Sequence, residues 1–235
     1  FHLCGGDVSY ILKIYRDAFP MHLYWGKRLS DPAISWYLEA PYRRKKLLEG
    51  TEPDDPMLQY SGRIDDDDPK APVLIYAASW VKMIFTGTSV AVTLANHHAY
   101  WTNEMGYLLD GVQGRIRLLN DGKKKTYEIA GQLPDARHEL MLFKRMDACH
   151  TVTFYGFTVD GGADLLPPEP KPARRMEVFG DSVSCGEVSE AVDYVGKEDP
   201  VHDGQYSNSW YSYAWMTARK LGAELHDTSQ GGIAL

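Results

Sequence analysis

Residues 178–186 read Val-Phe-Gly-Asp-Ser-Val-Ser-Cys-Gly. A serine hydroxyl becomes a nucleophile when a base removes its proton and amide donors hold the oxyanion that follows. Ser182 stands where acyl-transfer chemistry needs it. The apolar run Met176 to Phe179 predicts a buried parallel strand, and Gly180 permits a tight turn. The hydroxyl is then left at the strand's carboxyl end, where open α/β sheets place their sites. Asp181 is read as structural, its carboxylate accepting N–H groups of the turn. The N–H of Ser182 is one oxyanion donor. The second is expected from Ser229-Gln230-Gly231-Gly232-Ile233, directly after a predicted strand over 224–228. Gly232 is favoured and Gly231 stands next, because glycine lets a backbone N–H approach a substrate oxygen. The competing reading of the pair is an ordinary strand-to-helix turn.

A base is harder to find. His226 is expected along a strand and His202 in a crossover loop, while His97 and His98 belong to a β-rich region. Each is read as structural or surface. Asn96-His97-His98 lacks metal-ligand spacing with supporting Cys or carboxylates. No metal and no cofactor are expected.

These residues need elements to hold them. The 235 residues suffice for one large or two small domains. Residues 1–50 are read as an N-terminal β-hairpin extension and linker. Val8–Tyr15 pairs there with His22–Leu29, and the charge reversal between basic Pro41–Lys46 and acidic Glu52–Pro56 marks the linker. Residues 57–165 are read as a β-sandwich or jelly roll. Val73–Tyr76, Ser89–Leu94, Arg115–Leu119, Lys123–Ile129, Glu139–Lys144 and Thr151–Val159 are strand candidates separated by Gly, Asn and Asp turns. Residues 166–172 form a Pro-rich connector. Residues 173–235 are read as the incomplete start of an α/β parallel sheet. A helix over Asn208–Leu221 is predicted there, its stripe Trp210, Ala214, Thr217 and Leu221, capped by Ser207 or Asn208 and stopped by Gly222. The long loop between Cys185 and Asn208 is a candidate binding element. Its Tyr194 and Tyr206, with Trp210, suit sugar faces; the competing reading is a solvated acidic loop over a core-facing Trp210.

The formal charge of −7 argues against nucleic acid or an anionic membrane as partner. No apolar run approaches the ~20 residues of a membrane span. Three widely spaced cysteines read as free thiols. With no visible signal segment, they favour the cytoplasm over secretion, although the chain opens on Phe1 rather than Met. The oligomeric state is not legible.

The Gly180-Asp181-Ser182 block resembles the nucleophile block of the SGNH (GDSL-type) hydrolases. With the β domain before it, and with Tyr60-Ser61-Gly62-Arg63-Ile64-Asp65, Ile84-Phe85-Thr86-Gly87-Thr88-Ser89 and Tyr107-Leu108-Leu109-Asp110-Gly111, residues 57–235 look like a family 2 carbohydrate esterase. The resemblance implies a jelly roll followed by an SGNH domain. It implies removal of O-acetyl groups from xylan, glucomannan or their oligosaccharides, with Ser182 as nucleophile and Gly231-Gly232 at the oxyanion. Carried over, the family's asparagine and histidine would follow Leu235, so a C-terminally truncated chain of very low activity is expected. Phe1, His2, Leu3, Ser9, Tyr10, Tyr24, Gly26, Lys27, Arg28 and Leu29 resemble the N-terminus of family 36 α-galactosidases, without that family's catalytic carboxylates. A non-catalytic carbohydrate-binding module and an α-galactosidase-related fragment are the competing functions.

Overall fold

Alternation with a period of two makes a strand bury one face, and Ser89–Leu94 shows it plainly. In the computed structural model, which describes residues 1–15, 19–30 and 48–233, Val90, Val92 and Leu94 are buried and Ala91 and Thr93 partly open. The basic stretch Pro41–Lys46 and the last two residues lie outside the described residues.

The chain divides into two compact units, 1–46 and 47–235. In the first, β1 (His2–Gly5), β2 (Val8–Tyr15) and β3 (Phe19–Lys27) form an antiparallel meander, with Val8 opposite Lys27. The expected hairpin thus gains a third strand from the opening residues, and its returning strand starts three residues earlier.

The second unit holds two antiparallel sheets packed as a β-sandwich. Its strands are β4 (Leu48–Thr51), β5 (Gln59–Ser61), β6 (Ile64–Asp65), β7 (Val73–Leu74), β8 (Trp80–Gly87), β9 (Val90–His97), β10 (Glu104–Leu109), β11 (Val112–Arg117), β12 (Lys125–Ala130), β13 (Ala136–Lys144), β14 (Thr151–Asp160) and β15 (Leu165–Leu166). One sheet runs β11-β10-β13-β8-β15, with β5 also on β8; the other runs β12-β9-β14-β7-β6, with β4 on β14. Leu48–Thr51, of which residues 48–50 fall in the N-terminal extension as read from sequence, is therefore a strand of the sandwich, Thr51 opposite Phe157. The core between the sheets includes Val81, Met83, Phe85, Leu140, Leu142, Phe154 and Phe157.

Strand β13 alternates on both faces. Leu140 and Leu142 enter the sandwich core, while Met141 and Phe143 point outward into a second cluster with Ala214, Trp215, Ala218 and Leu225. A sandwich face that would otherwise meet water is covered by the next elements of the chain. These are β16 (Arg174–Val178), β17 (Ala223–Asp227) and the helix Tyr213–Leu221 between them. β16 and β17 are parallel, with Val178 opposite Asp227, as a strand–crossover–strand connection requires. β16 is not the buried strand expected from its apolar run: none of its residues is buried and Phe179 is 63% exposed, because only β17 pairs with it among the described residues. Phe143 is fully buried, and its ring meets Trp215 edge-on at 5.2 Å. Phe143→Ala should destabilise the second unit by roughly 3–5 kcal/mol in urea unfolding.

The helix departs from its expected course. Asn208 caps a short 3-10 turn, Ser209–Tyr211, by accepting the Trp210 N–H, and the α-helix begins afresh at Ser212, whose Oγ accepts the Trp215 N–H at 3.1 Å. Two N-cap residues four positions apart start two segments instead of one. The break re-registers the buried face to Ala214, Trp215 and Ala218, while Thr217 and Leu221 face solvent. The stop at Gly222, φ 59°, is as expected. No described helix is long and apolar enough to cross a membrane.

Candidate active site

Parallel pairing sets what lies beside Ser182. Beyond the β16–β17 ladder the two exit loops stay in register. The Thr228 N–H donates to Val178 O at 2.8 Å, and the Gln230 N–H to Gly180 O at 3.1 Å. The Gly-Asp-Ser turn and the double-glycine loop therefore run side by side at the strands' carboxyl ends.

Ser182 opens a one-turn helix, Ser182–Cys185, and Asp181 is its N-cap, accepting the Val183 N–H at 3.0 Å. Asp181 is a structural residue, as its turn position predicts. Gly180 is required by space: a Cβ there would lie 2.0 Å from Ser184 Oγ. That hydroxyl in turn bonds the Tyr213 hydroxyl at 2.7 Å, tying the turn to the helix. The N–H of Ser182, at the first helical position, has no intrahelical acceptor. Among the described residues no side chain bonds the Ser182 hydroxyl.

The two glycines separate. The Gly231 N–H donates to Asp147 Oδ2 at 2.7 Å, so it is occupied and is not an open oxyanion donor. A Cβ on Gly231 would lie 2.9 Å from Asp147 Oδ2, 3.2 Å from Glu187 Oε2 and 3.7 Å from Ser182 Cβ, which places this residue against the nucleophile. Gly232 has φ +77°, is exposed, and has open space around its Cβ position.

Asp147 is a residue that sequence reasoning missed. It sits in the loop after β13, in the sandwich, and reaches the double-glycine loop from a separation of 84 residues. Its Oδ1 accepts the Cys149 N–H at 3.2 Å and the Cys149 thiol at 2.5 Å. The loop is stiffened by the buried Lys144, whose ammonium donates to the Met146 and Asp147 carbonyls. Burial pulls that ammonium down to about 8. Nothing in the spacing of Asp147 announces its partner.

Glu187 is the second residue at the border. Its N–H donates to Ser182 O at 3.0 Å, and its carboxylate bonds His202 Nδ1 at 3.1 Å. The His202 ring stacks on Trp101 at 5.5 Å and 29°. His202 is thus brought to the rim of the Ser182 site. His226 is not: it lines a cleft of about 320 Å³ with Pro53, Tyr60 and Lys171, 3.9 Å from Glu224. His97 bonds Thr153 Oγ1 at 3.1 Å, and His98 stacks on His150.

The three aromatic residues expected to meet sugar are dispersed. Trp210 is partly buried and packs against the second cluster, beside Phe143 and Trp215, with the Arg219 guanidinium 3.7 Å above its ring, so it is turned to the core and not to a sugar. Tyr194 and Tyr206 form an edge-on pair at 5.8 Å, and Tyr206 borders a cleft of about 530 Å³ with Gln113, Arg115 and Glu190. No metal-holding cluster of three His, Cys, Asp or Glu occurs among the described residues.

Two buried groups titrate abnormally near this loop system. Burial, reinforced by the nearby Lys144 charge, lowers His150 to about 4, with Nδ1 accepting the Ala99 N–H at 3.0 Å. Protonation therefore favours the unfolded chain, where histidine titrates near 6.5. The stability His150 contributes is complete above about pH 6.5 and is lost as pH falls towards 4, by roughly 2–3 kcal/mol. Burial raises Asp227 to about 6, against the hydrogen bond it accepts from the Ser229 N–H at 3.1 Å. Its contribution has the opposite sign, falling as pH rises from 3.8 to 6. The difference between wild type and His150→Gln, followed by urea midpoints from pH 7 to 4, should isolate the histidine.

Residues 60–169 match the family model described as Carbohydrate esterase 2 N-terminal. Over 183 residues the chain is 31% identical to the cellulase/esterase CelE of Acetivibrio thermocellus, covering 77% of this chain and 21% of that protein. It is 26% identical over 206 residues to an acetylxylan esterase / glucomannan deacetylase of Cellvibrio japonicus, covering 86% and 55%. Among solved structures it superimposes on a family two carbohydrate esterase from Clostridium thermocellum in complex with cellohexaose. The TM-score is 0.67 at 30% identity, over 75% of this chain and 52% of that one. The Cellvibrio japonicus family two structure gives a TM-score of 0.67 at 26% identity, covering 79% and 53%. The chain thus spans between a fifth and about half of the length of these relatives.

Proposed function

We propose, from the premise that the chain is a family 2 carbohydrate esterase homologue whose residues 60–169 are the family's N-terminal domain, that it removes O-acetyl groups from plant polysaccharides by a serine acyl-enzyme route. The observation that carries this is the juxtaposition of Ser182 with the double-glycine loop. Ser182 attacks the acetyl carbonyl, its oxygen takes the acyl group, and the N–H groups of Ser182 and Gly232 hold the oxyanion. The sugar hydroxyl leaves with a proton, and water then releases acetate from Ser182. In this reading β16, the crossover helix and β17 are the first part of an SGNH hydrolase domain, and the sandwich is its jelly-roll companion.

The substrate class follows the relatives, one an acetylxylan esterase / glucomannan deacetylase and one solved with cellohexaose. An acetylated, β-linked pyranosyl chain is the substrate. With no described side chain bonding the Ser182 hydroxyl, the 235 residues by themselves turn over slowly. A phosphonate that traps serine nucleophiles should add its mass to the peptide holding Ser182, slowly and at one site. Modification elsewhere, or none at Ser182 after prolonged incubation, overturns the reading.

A further inference from the structure

The loop between β9 and β10, which the sequence marks only by its histidines, carries Tyr100 and Trp101, and the Trp101 ring stacks on His202 at the rim of the Ser182 site. Two features of its aromatic pair are unusual together. Tyr100 is 58% exposed, and it is also held in place. Its ring packs on the buried His150 ring, centroids 5.6 Å apart. Trp101 stands nearly perpendicular to it, ring centroids 4.8 Å apart at 84°. One side of the Trp101 ring is taken by His202. The loop is pinned from below, the Thr102 N–H donating to Asp203 O at 3.0 Å. An exposed apolar ring that is already immobile loses little conformational entropy when a ligand covers it. That is the property of a binding platform.

Two short chains of contacts fix this corner relative to the nucleophile. In one, Tyr100 packs on His150, next in the chain to Cys149, Cys149 bonds Asp147 Oδ1, and Asp147 Oδ2 accepts the Gly231 N–H beside Ser182. In the other, Trp101 stacks on His202, His202 bonds Glu187, and the Glu187 N–H donates to Ser182 O. The first path ends on the glycine loop beside Ser182 and the second on the Ser182 turn itself.

We infer that Tyr100 and Trp101 form a sugar subsite contributed by the β domain. The apolar C–H face of a pyranose ring rests on Tyr100, its edge is closed by Trp101, and Asp147 sets the distance from that sugar to Ser182. Aromatic rings offer such faces a large apolar area at a fixed angle. The inference rests on the glycan reading above but places the grip in a domain that the chemistry of Ser182 does not identify. It assigns the sandwich a part in holding substrate.

Titration of the full chain with xylohexaose and with cellohexaose, followed by calorimetry, tests it. Tyr100→Ala and Trp101→Ala should each weaken binding ~10-fold. Trp25→Ala, an exposed tryptophan of the first compact unit, should bind as wild type does. Trp101 stacks on His202, so its removal can disturb folding; Tyr100→Leu, which keeps bulk and loses the ring face, should show the same weakening at an unchanged Tm. Undiminished affinity in Tyr100→Ala and Tyr100→Leu overturns the subsite, as does an absence of oligosaccharide binding by wild type. Trapping at Ser182 is read independently. Loss of trapping with binding intact sinks the esterase reading and leaves the subsite standing, and intact trapping with unchanged Tyr100 variants does the reverse.

Discussion

Ser182→Ala is expected to remove the slow, serine-dependent acetate release from acetylated xylan, leaving only what the oxyanion hole and binding supply. A serine nucleophile with its full set of supports is worth ~10⁶-fold in kcat; with no described side chain bonding the Ser182 hydroxyl, the drop here is smaller. Ser182 is held at the end of a parallel strand by its neighbours and not by its own side chain. The Asp181 cap, the Ser184–Tyr213 bond and the Gly180 close approach all survive the substitution. The variant should therefore fold with an unchanged Tm, and the lost activity reports chemistry alone. The comparison is acetate released per hour by wild type and variant at equal concentration. Equal rates would mean that the ester is cleaved elsewhere on the chain.

Gly231→Ala should lower kcat by ~10²-fold or more, the scale on which misplacing one oxyanion donor acts. A methyl group there meets the Asp147 carboxylate at 2.9 Å, the Glu187 carboxylate at 3.2 Å and Ser182 Cβ at 3.7 Å. The two carboxylates are held by Cys149 and His202, so neither yields freely. The loop must move instead, and it takes the Gly232 N–H with it. Gly232→Ala is the control. Its Cβ enters open space at φ +77°, so its cost is backbone strain, about 1–2 kcal/mol, with a smaller effect on kcat. The reverse ranking of the two variants would show that the loop absorbs the Gly231 methyl group without displacing the oxyanion donor, and would overturn this account of the contact with Asp147 and Glu187.

Much of this protein was legible locally. The two-residue alternation of Val90, Val92 and Leu94 found its sheet, because side-chain direction in a strand is set by the backbone alone. The apolar run into Gly180-Asp181-Ser182 found its turn, because Asp181 caps residues only two positions away. The tandem glycines after β17 marked the loop that would lie beside it.

The helix was legible only in outline, since both Asn208 and Ser212 are good caps. What chose between them is that Ser209 is tied to the end of β13, its N–H to Arg145 O and its hydroxyl to Lys144 O. Trp210 turns to the core, partly buried, because the outer face of β13 offers Phe143 as its neighbour.

By itself, then, the sequence determined most of the long sandwich strands, though not the central β8, and the nucleophile turn and the glycine loop, all products of periodicity, capping and glycine over a few residues. Only the tertiary structure decided which amide of the glycine pair is free, which histidine stands at the rim, and that Asp147 of the sandwich reaches the glycine loop beside the serine. Those facts depend on contacts spanning from 15 residues, for His202 and Glu187, to 84, for Gly231 and Asp147. No short-range pattern encodes them, because hydrogen bonds across such separations form only once the sheets and the crossover have packed.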